Sequence, residues 1–179
     1  MFNYVHIKSG RGFTIFFAML VGGLALAIGV AIYDLTVREL DLSGTATQSQ
    51  YAIYAADTGA ECALYWDFKC TGPAECTSGG AGNSAFATSS GMAVPPDNSG
   101  LLCNGVDVTA AGNRSTVYAP DGSAATTTFT ITFLPQPYCA TVSVGKKDFP
   151  TVTTVISSGY NTCTAGGVVR LERKLQVTY

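Results

Sequence analysis

The chain has 179 residues, with twelve acidic and ten basic side chains, a net charge of −2 and one histidine. Its sole histidine, His6, lies in the N-terminal head, so the rest of the chain has no Ser-His-Asp triad, no Cys-His pair and no His-ligated zinc site. The acids are spread too thinly for a carboxylate-pair mechanism, and the bases form no stripe for nucleic acid. The composition therefore points away from an enzyme, a metal site or a cofactor. Charged residues make up only 12 %, about half the usual share, and Ser, Thr, Gly and Asn supply the polarity instead. That balance suits an exported, packed or assembled surface.

Residues 1–12 form a short head carrying Lys8 and Arg11. Phe13 then opens an apolar run to Tyr33 without a polar gap. At about 1.5 Å per residue this 21-residue run predicts a helix of roughly 31 Å, the thickness of a bilayer's hydrocarbon core. A cleaved secretory signal has a shorter apolar region and a small-x-small site, and Ala31-Ile32-Tyr33-Asp34-Leu35 offers none. The basic head before the span and mixed charge after it predict a cytoplasmic N-terminus, with the remainder outside. Gly22 and Gly23 inside the span, with Gly29, suit close helix contact, although glycine is common in membrane helices anyway.

No proline precedes Pro73, so the helix is predicted to continue through residues 34–69. Leu35, Leu40, Leu42, Tyr51, Tyr54, Ala55, Cys62 and Tyr65 recur at near-helical intervals and predict its apolar face. Ser43-Gly44-Thr45 contains poor helix formers and marks a place for a kink. Residues 70–125 are rich in turn formers and read as a loop-rich segment, with short strands near 105–109 and 114–118. Asp97-Asn98-Ser99-Gly100 and Asp121-Gly122 lack the spaced acids of a calcium loop, and turn chemistry accounts for them.

From Thr126 the period becomes two. Phe129, Ile131 and Phe133 alternate with threonines; Ala140, Val142 and Val144 share a face; residues 151–157 follow. A last run places Val169, Leu171, Leu175, Val177 and Tyr179 opposite Arg170, Glu172, Lys174 and Gln176. Residues 126–179 are thus expected to form an antiparallel sheet of about four strands, one face packed on the helix, giving an α+β fold. Lys146-Lys147 is expected at a hairpin tip.

Cys62, Cys70, Cys76, Cys103, Cys139 and Cys163 all follow the predicted span, and no C-x-x-C occurs. Structural disulfides fit better than a metal or redox site. Six cysteines allow 15 pairings, so connectivity stays open; Cys70 with Cys76 and Cys139 with Cys163 are two candidate pairs.

Arg11-Gly12-Phe13-Thr14-Ile15, followed by the apolar span, an amphipathic continuation and a C-terminal sheet, resembles a type IV prepilin. Gln50 to Glu61, alanine-rich with Asp57, Gly59 and Glu61, is similar to a helix motif of PilX-like minor pilins and pseudopilins. The resemblance implies a leader (1–12) cut between Gly12 and Phe13 by a prepilin peptidase, with methylation of the new terminus. It also implies assembly with other pilin subunits through the N-terminal helix (Phe13, Thr14, Ile15, Phe16, Phe17, Gly22, Gly23), from the cytoplasmic membrane into an extracellular filament. Major pilins carry glutamate where Phe17 stands here, which implies a sparse initiating or capping subunit of a pilus or secretion filament. Asp57 and Glu61 read either as a docking contact to a basic group or as a solvated helix face. The competing readings are a plain signal anchor with a chance glycine and an anchored, disulfide-stabilised adhesin-like protein that never assembles.

Overall fold

A computed structural model describes residues 11–69, 84–89, 100–164, 166 and 170–179. Residues 1–10 of the predicted leader, Cys70, Cys76, Val169 and Asp97-Asn98-Ser99 lie outside them. The chain divides into two compact units, residues 1–45 and 46–179.

Helix α1 runs from Arg11 to Lys69, and the division between the units falls within it, beside the predicted weak stretch at Ser43-Gly44-Thr45. Ser and Thr hydroxyls inside a helix can bond back to the carbonyl of the preceding turn, which slightly weakens and often bends the helix. Thr36 and Thr45 do so, reaching the carbonyls of Ile32 and Asp41 at 2.8 and 2.9 Å. Within the first unit every residue from Phe13 to Thr45 is exposed.

The second unit sets residues 46–69 of α1 against an antiparallel sheet. Two short strands, β1 (Leu102–Cys103) and β2 (Val106–Asp107), pair around Asn104-Gly105. Both turn residues have positive φ, 49° and 77°, as a two-residue hairpin with the twist of its strands requires. The main sheet contains β3 (Arg114–Tyr118), β4 (Ala124–Thr132), β5 (Cys139–Lys147), β6 (Val152–Tyr160) and β7 (Glu172–Thr178) in sequential order. It has five strands rather than about four, because the run at 114–118, read as an isolated strand of the loop-rich segment, pairs with β4 through Arg114↔Phe129 to Tyr118↔Ala125.

Alternation sorts this sheet's faces. Ala125, Thr127, Phe129 and Ile131 of β4 point inward with Ala140, Val142 and Val144 of β5 and Val155 and Ser157 of β6, all buried. The outward series contains Thr126, Thr128, Thr130 and Thr132 on β4, then Thr141 and Ser143 on β5. Threonine suits such positions because its branched Cβ fits a pleated surface while its hydroxyl meets water.

The helix face that meets the sheet is made of small residues. Ala52, Ala55, Ala56, Gly59, Ala60 and Ala63 are buried, whereas Tyr54 and Tyr65 are 64 % and 53 % exposed. The predicted tyrosine stripe is therefore not the core stripe. Small side chains let the two backbones approach closely, and the bulk comes from the sheet and loops: Phe86 stacks on Phe129 with ring centres 5.8 Å apart, and Phe133 meets Tyr138 at a tilt of 36° with centres 5.1 Å apart.

Ser157 sits under this contact. Its Oγ is buried with no hydrogen-bond partner among the described residues, and a Cβ built on Gly59 would lie 2.5 Å from it. An unpaired buried hydroxyl opposes folding by about 1–3 kcal/mol. Ser157→Ala is therefore expected to leave urea-unfolding stability unchanged or to raise it by about 1 kcal/mol; a clear drop would show that the hydroxyl is bonded in solution.

Candidate functional site

Three features of the chain carry chemistry: the apolar N-terminal segment of α1, the Asp57-Gly59-Glu61 motif, and the polar and cysteine clusters that close the second unit.

The N-terminal segment contains a window of mean hydropathy 2.6 with none of it buried, long and apolar enough to cross a membrane. Phe13 is 74 % exposed, and Ile15, Phe16 and Phe17 lie between 58 and 65 %. Their exposure on all sides of the helix means that nothing among the described residues of the first unit covers them. Thr14, Gly22 and Gly23 lie on the same exposed segment, and a Cβ at either glycine would meet open space. Gly12 and Phe13 lie within α1.

The helix motif divides by role. Gly59 is buried against Val142 and Ser157, while Asp57 and Glu61 point to solvent. Beyond Glu61 lies an open depression of about 420 Å³ lined by Glu61, Leu64, Tyr65, Phe68 and Lys69. The helix thus presents two acids and exposed aromatic surface along its side away from the sheet.

At the end of α1 the Asp67 side chain is 4 % exposed. Its Oδ1 accepts a hydrogen bond from Lys146 Nζ at 2.6 Å and another from the Ser84 hydroxyl, and its Oδ2 accepts one from the Tyr179 hydroxyl at 2.5 Å. Tyr179 also stacks on Phe68 at 5.1 Å. One carboxylate thereby ties the helix end to β5, to the residue after β7 and to the 84–89 segment. Burial, then the bond to Asp67, pushes the Tyr179 phenol well above its ordinary value. Lys146-Lys147, expected at a hairpin tip, ends β5 directly before the turn to β6, but the Lys146 side chain points inward and Lys147 is the exposed one of the pair. The signal was present, since Lys146 continues the inward series Ala140, Val142, Val144.

Of the cysteines, Cys62 and Cys103 form a disulfide with Cα atoms 5.9 Å apart, a pairing that spacing did not single out. It joins α1 to the β1–β2 hairpin, where Trp66 Nε1 also donates to the Leu102 carbonyl at 3.2 Å. Cys139 and Cys163 are thiols, the first buried and the second exposed. Cys163, just after β6, donates its backbone amide to the Pro137 carbonyl at 2.8 Å, and its side chain hydrogen-bonds with that of Cys139. Burial, then the hydrogen bond with Cys163, pushes the Cys139 thiol up to about 12.

Two remaining acids serve turns. Burial works against ionised Asp107, but bonds from the Thr109 hydroxyl and amide and the Gly100 amide, with the Arg114 charge, outweigh it and hold the carboxyl below its usual range. The Ser123 hydroxyl and amide do the same for Asp121. Among the described residues no group of His, Cys, Asp or Glu is placed to hold a metal ion. Comparison with protein-family models, curated proteins and solved structures gives no match.

Proposed function

We propose that this chain is a minor pilin-like structural subunit, cut between Gly12 and Phe13 and assembled into, or at the tip of, a type IV pilus or related secretion filament. The observation that supports this most is the segment from Phe13 to Tyr33. It is apolar, exposed on every side and joined to a unit that closes its own core. Such a segment is costly in water and is satisfied by lipid or by like helices. In this reading it first spans the cytoplasmic membrane and then exchanges lipid for neighbouring subunits. Removal of Lys8 and Arg11 with the leader leaves eight bases against twelve acids.

Phe17 supports a sparse position. A carboxylate there would seek a charge in low dielectric, and phenylalanine makes no such demand. The exposed Asp57 and Glu61 suit docking to a basic group on another subunit. The Cys62–Cys103 disulfide agrees with an exported, oxidising location. The adhesin-like alternative shares the anchor and the disulfide but keeps residues 1–12.

Intact mass of the protein from its cells separates the two. Loss of residues 1–12 with a methyl group on Phe13 is expected, and Gly12→Trp is expected to remain full length. A full-length wild-type chain, or normal processing of Gly12→Trp, would overturn the assembly reading. Recovery as the repeating subunit of purified filaments would overturn the tip position.

A further inference from the structure

The four cysteines among the described residues divide in two. Cys62 and Cys103 are joined, whereas Cys139 and Cys163 are thiols. Cys139 opens β5, and Cys163 lies three residues beyond the end of β6. Two backbone pairings bring them together. Cys139 lies opposite Tyr160, the last residue of β6, and the Cys163 amide donates to the carbonyl of Pro137, two residues before Cys139, at 2.8 Å. A hydrogen bond between the two side chains completes the contact. Thiols so placed need only side-chain rotation and loss of their hydrogens to reach the disulfide bonding distance of about 2.05 Å.

The two sulfurs differ in access. Cys139 is buried and Cys163 is exposed. A cysteine reacts as its thiolate, and only where a reagent reaches it. A disulfide donor in solution therefore meets Cys163 first. Burial, then the contact with Cys163, disfavours the Cys139 thiolate, so Cys139 is a poor first nucleophile, yet it already lies beside the sulfur it would attack second. The Arg170 guanidinium, 4.0 Å from the centre of the Tyr160 ring opposite Cys139, supplies a positive charge that favours the anion needed at that step.

We infer that Cys139 and Cys163 form a second disulfide, made by a small disulfide donor that enters at Cys163 and is displaced by Cys139. First the Cys163 thiolate attacks one sulfur of the donor, forming a mixed disulfide and releasing one donor thiolate. Then the Cys139 thiolate attacks Cys163 Sγ, and the second donor thiolate leaves. The two cysteines lose two electrons, the donor gains them, and the two cysteine protons end on the two donor thiols. Closed, the bond ties the start of β5 to the chain just beyond Asn161. Asn161 accepts the Leu171 amide at 2.7 Å and donates to Gln48 of α1 at 3.1 Å, so the bond secures the opposite end of the helix from Asp67 in this unit. A reductant arriving at exposed Cys163 must expel Cys139 as a buried thiolate, a poor leaving group, so the closed bond resists reduction in the folded protein. The site requires neither processing at Gly12 nor assembly.

Trypsin gives a direct readout. Cleavage at Arg114, Lys146, Lys147 and Arg170 leaves Cys139 and Cys163 as the sole cysteines of peptides 115–146 and 148–170. The full-length chain in non-ionic detergent, with these two thiols reduced, is incubated with oxidised glutathione, alkylated and digested without reductant. The two peptides are expected as one linked species, lighter than their sum by two hydrogen atoms. At early times glutathione is expected on 148–170 and not on 115–146. In Cys139→Ala the glutathione adduct on Cys163 is expected to persist. In Cys163→Ser, Cys139 is expected to stay a thiol, and Tm to fall below that of the oxidised parent by about 5 °C or more. The parent's time course decides the order of steps even if Cys139→Ala does not fold. The inference is overturned if the linked species does not form, if Cys163 pairs instead with peptide 70–114, if glutathione appears first on 115–146, or if Cys163→Ser melts with the oxidised parent. Filament assembly has no bearing on these outcomes.

Discussion

Asp67→Ala is expected to destabilise the protein by about 3–5 kcal/mol, because it strands the Lys146 ammonium beside the core without its counter-charge. Tyr179 and Ser84 lose their acceptor in the same step. Urea unfolding of the purified chain measures the loss. Replacing both ends of the pair, Asp67→Leu with Lys146→Met, is expected to recover most of it, since an apolar pair of similar volume needs no desolvation. A loss below about 1 kcal/mol for Asp67→Ala would mean that water already solvates the pair. The same cluster sets a basic limit. The Tyr179 phenol has a folded pKa above its unfolded value near 10. The neutral form is favoured by folding, so this contribution is fully present below about pH 10 and is lost as pH rises through the folded value. Tyr179→Phe is expected to be less stable than the parent at neutral pH but to lose less stability above pH 10.

Gly159→Ala is the second large effect, expected to cost about 3 kcal/mol or more. One added methyl would fall on the carbonyl of Ala52 and the amide of Ala56, which are backbone atoms of a helix and cannot swing aside as a side chain can. Thermal unfolding followed by near-UV circular dichroism is suited to this variant, because the helix must lift from β6. A variant that unfolds at the parent temperature would show that the helix–sheet contact is looser than these atoms imply.

The order of elements was legible because two periodicities are strong here. The apolar run from Phe13 has membrane length and no proline, and the alternation of Phe129, Ile131 and Phe133 with threonines admits only a two-sided strand. Lys146 was legible in principle, as the next inward position after Val144, but its charge argued for the surface and its partner lies far away in sequence at Asp67. The helix face was misread for a physical reason. The near-helical spacing of the large tyrosines marks them as the apolar face, yet a helix that lies close on a sheet needs a face with little volume, so Ala52, Ala56 and Gly59 form the contact and Tyr54 and Tyr65 face out. The fifth strand was missed as a sheet member because Arg114 to Tyr118 contains little apolar alternation and earns its place by pairing with β4. Cysteine spacing carries no register information, so Cys62–Cys103 was not readable until α1 and the β1–β2 hairpin were side by side.

The alanine and glycine seam between α1 and β6 also bears on mechanics. Contacts made by long side chains yield gradually when two elements slide, as each chain changes rotamer. Here the backbone at Gly159 is seated between turns of the helix at Ala52 and Ala56, with Gly59 seated over Ser157 in turn. Sliding α1 along the sheet by even one residue rise, about 1.5 Å, would drive methyl groups into peptide atoms. A pull along residues 46–69 of the helix is therefore met by interlocking shape, and the three-way tie at Asp67 holds the far end of the same seam. The second unit is built to bear shear as a rigid piece, yielding abruptly rather than by creep.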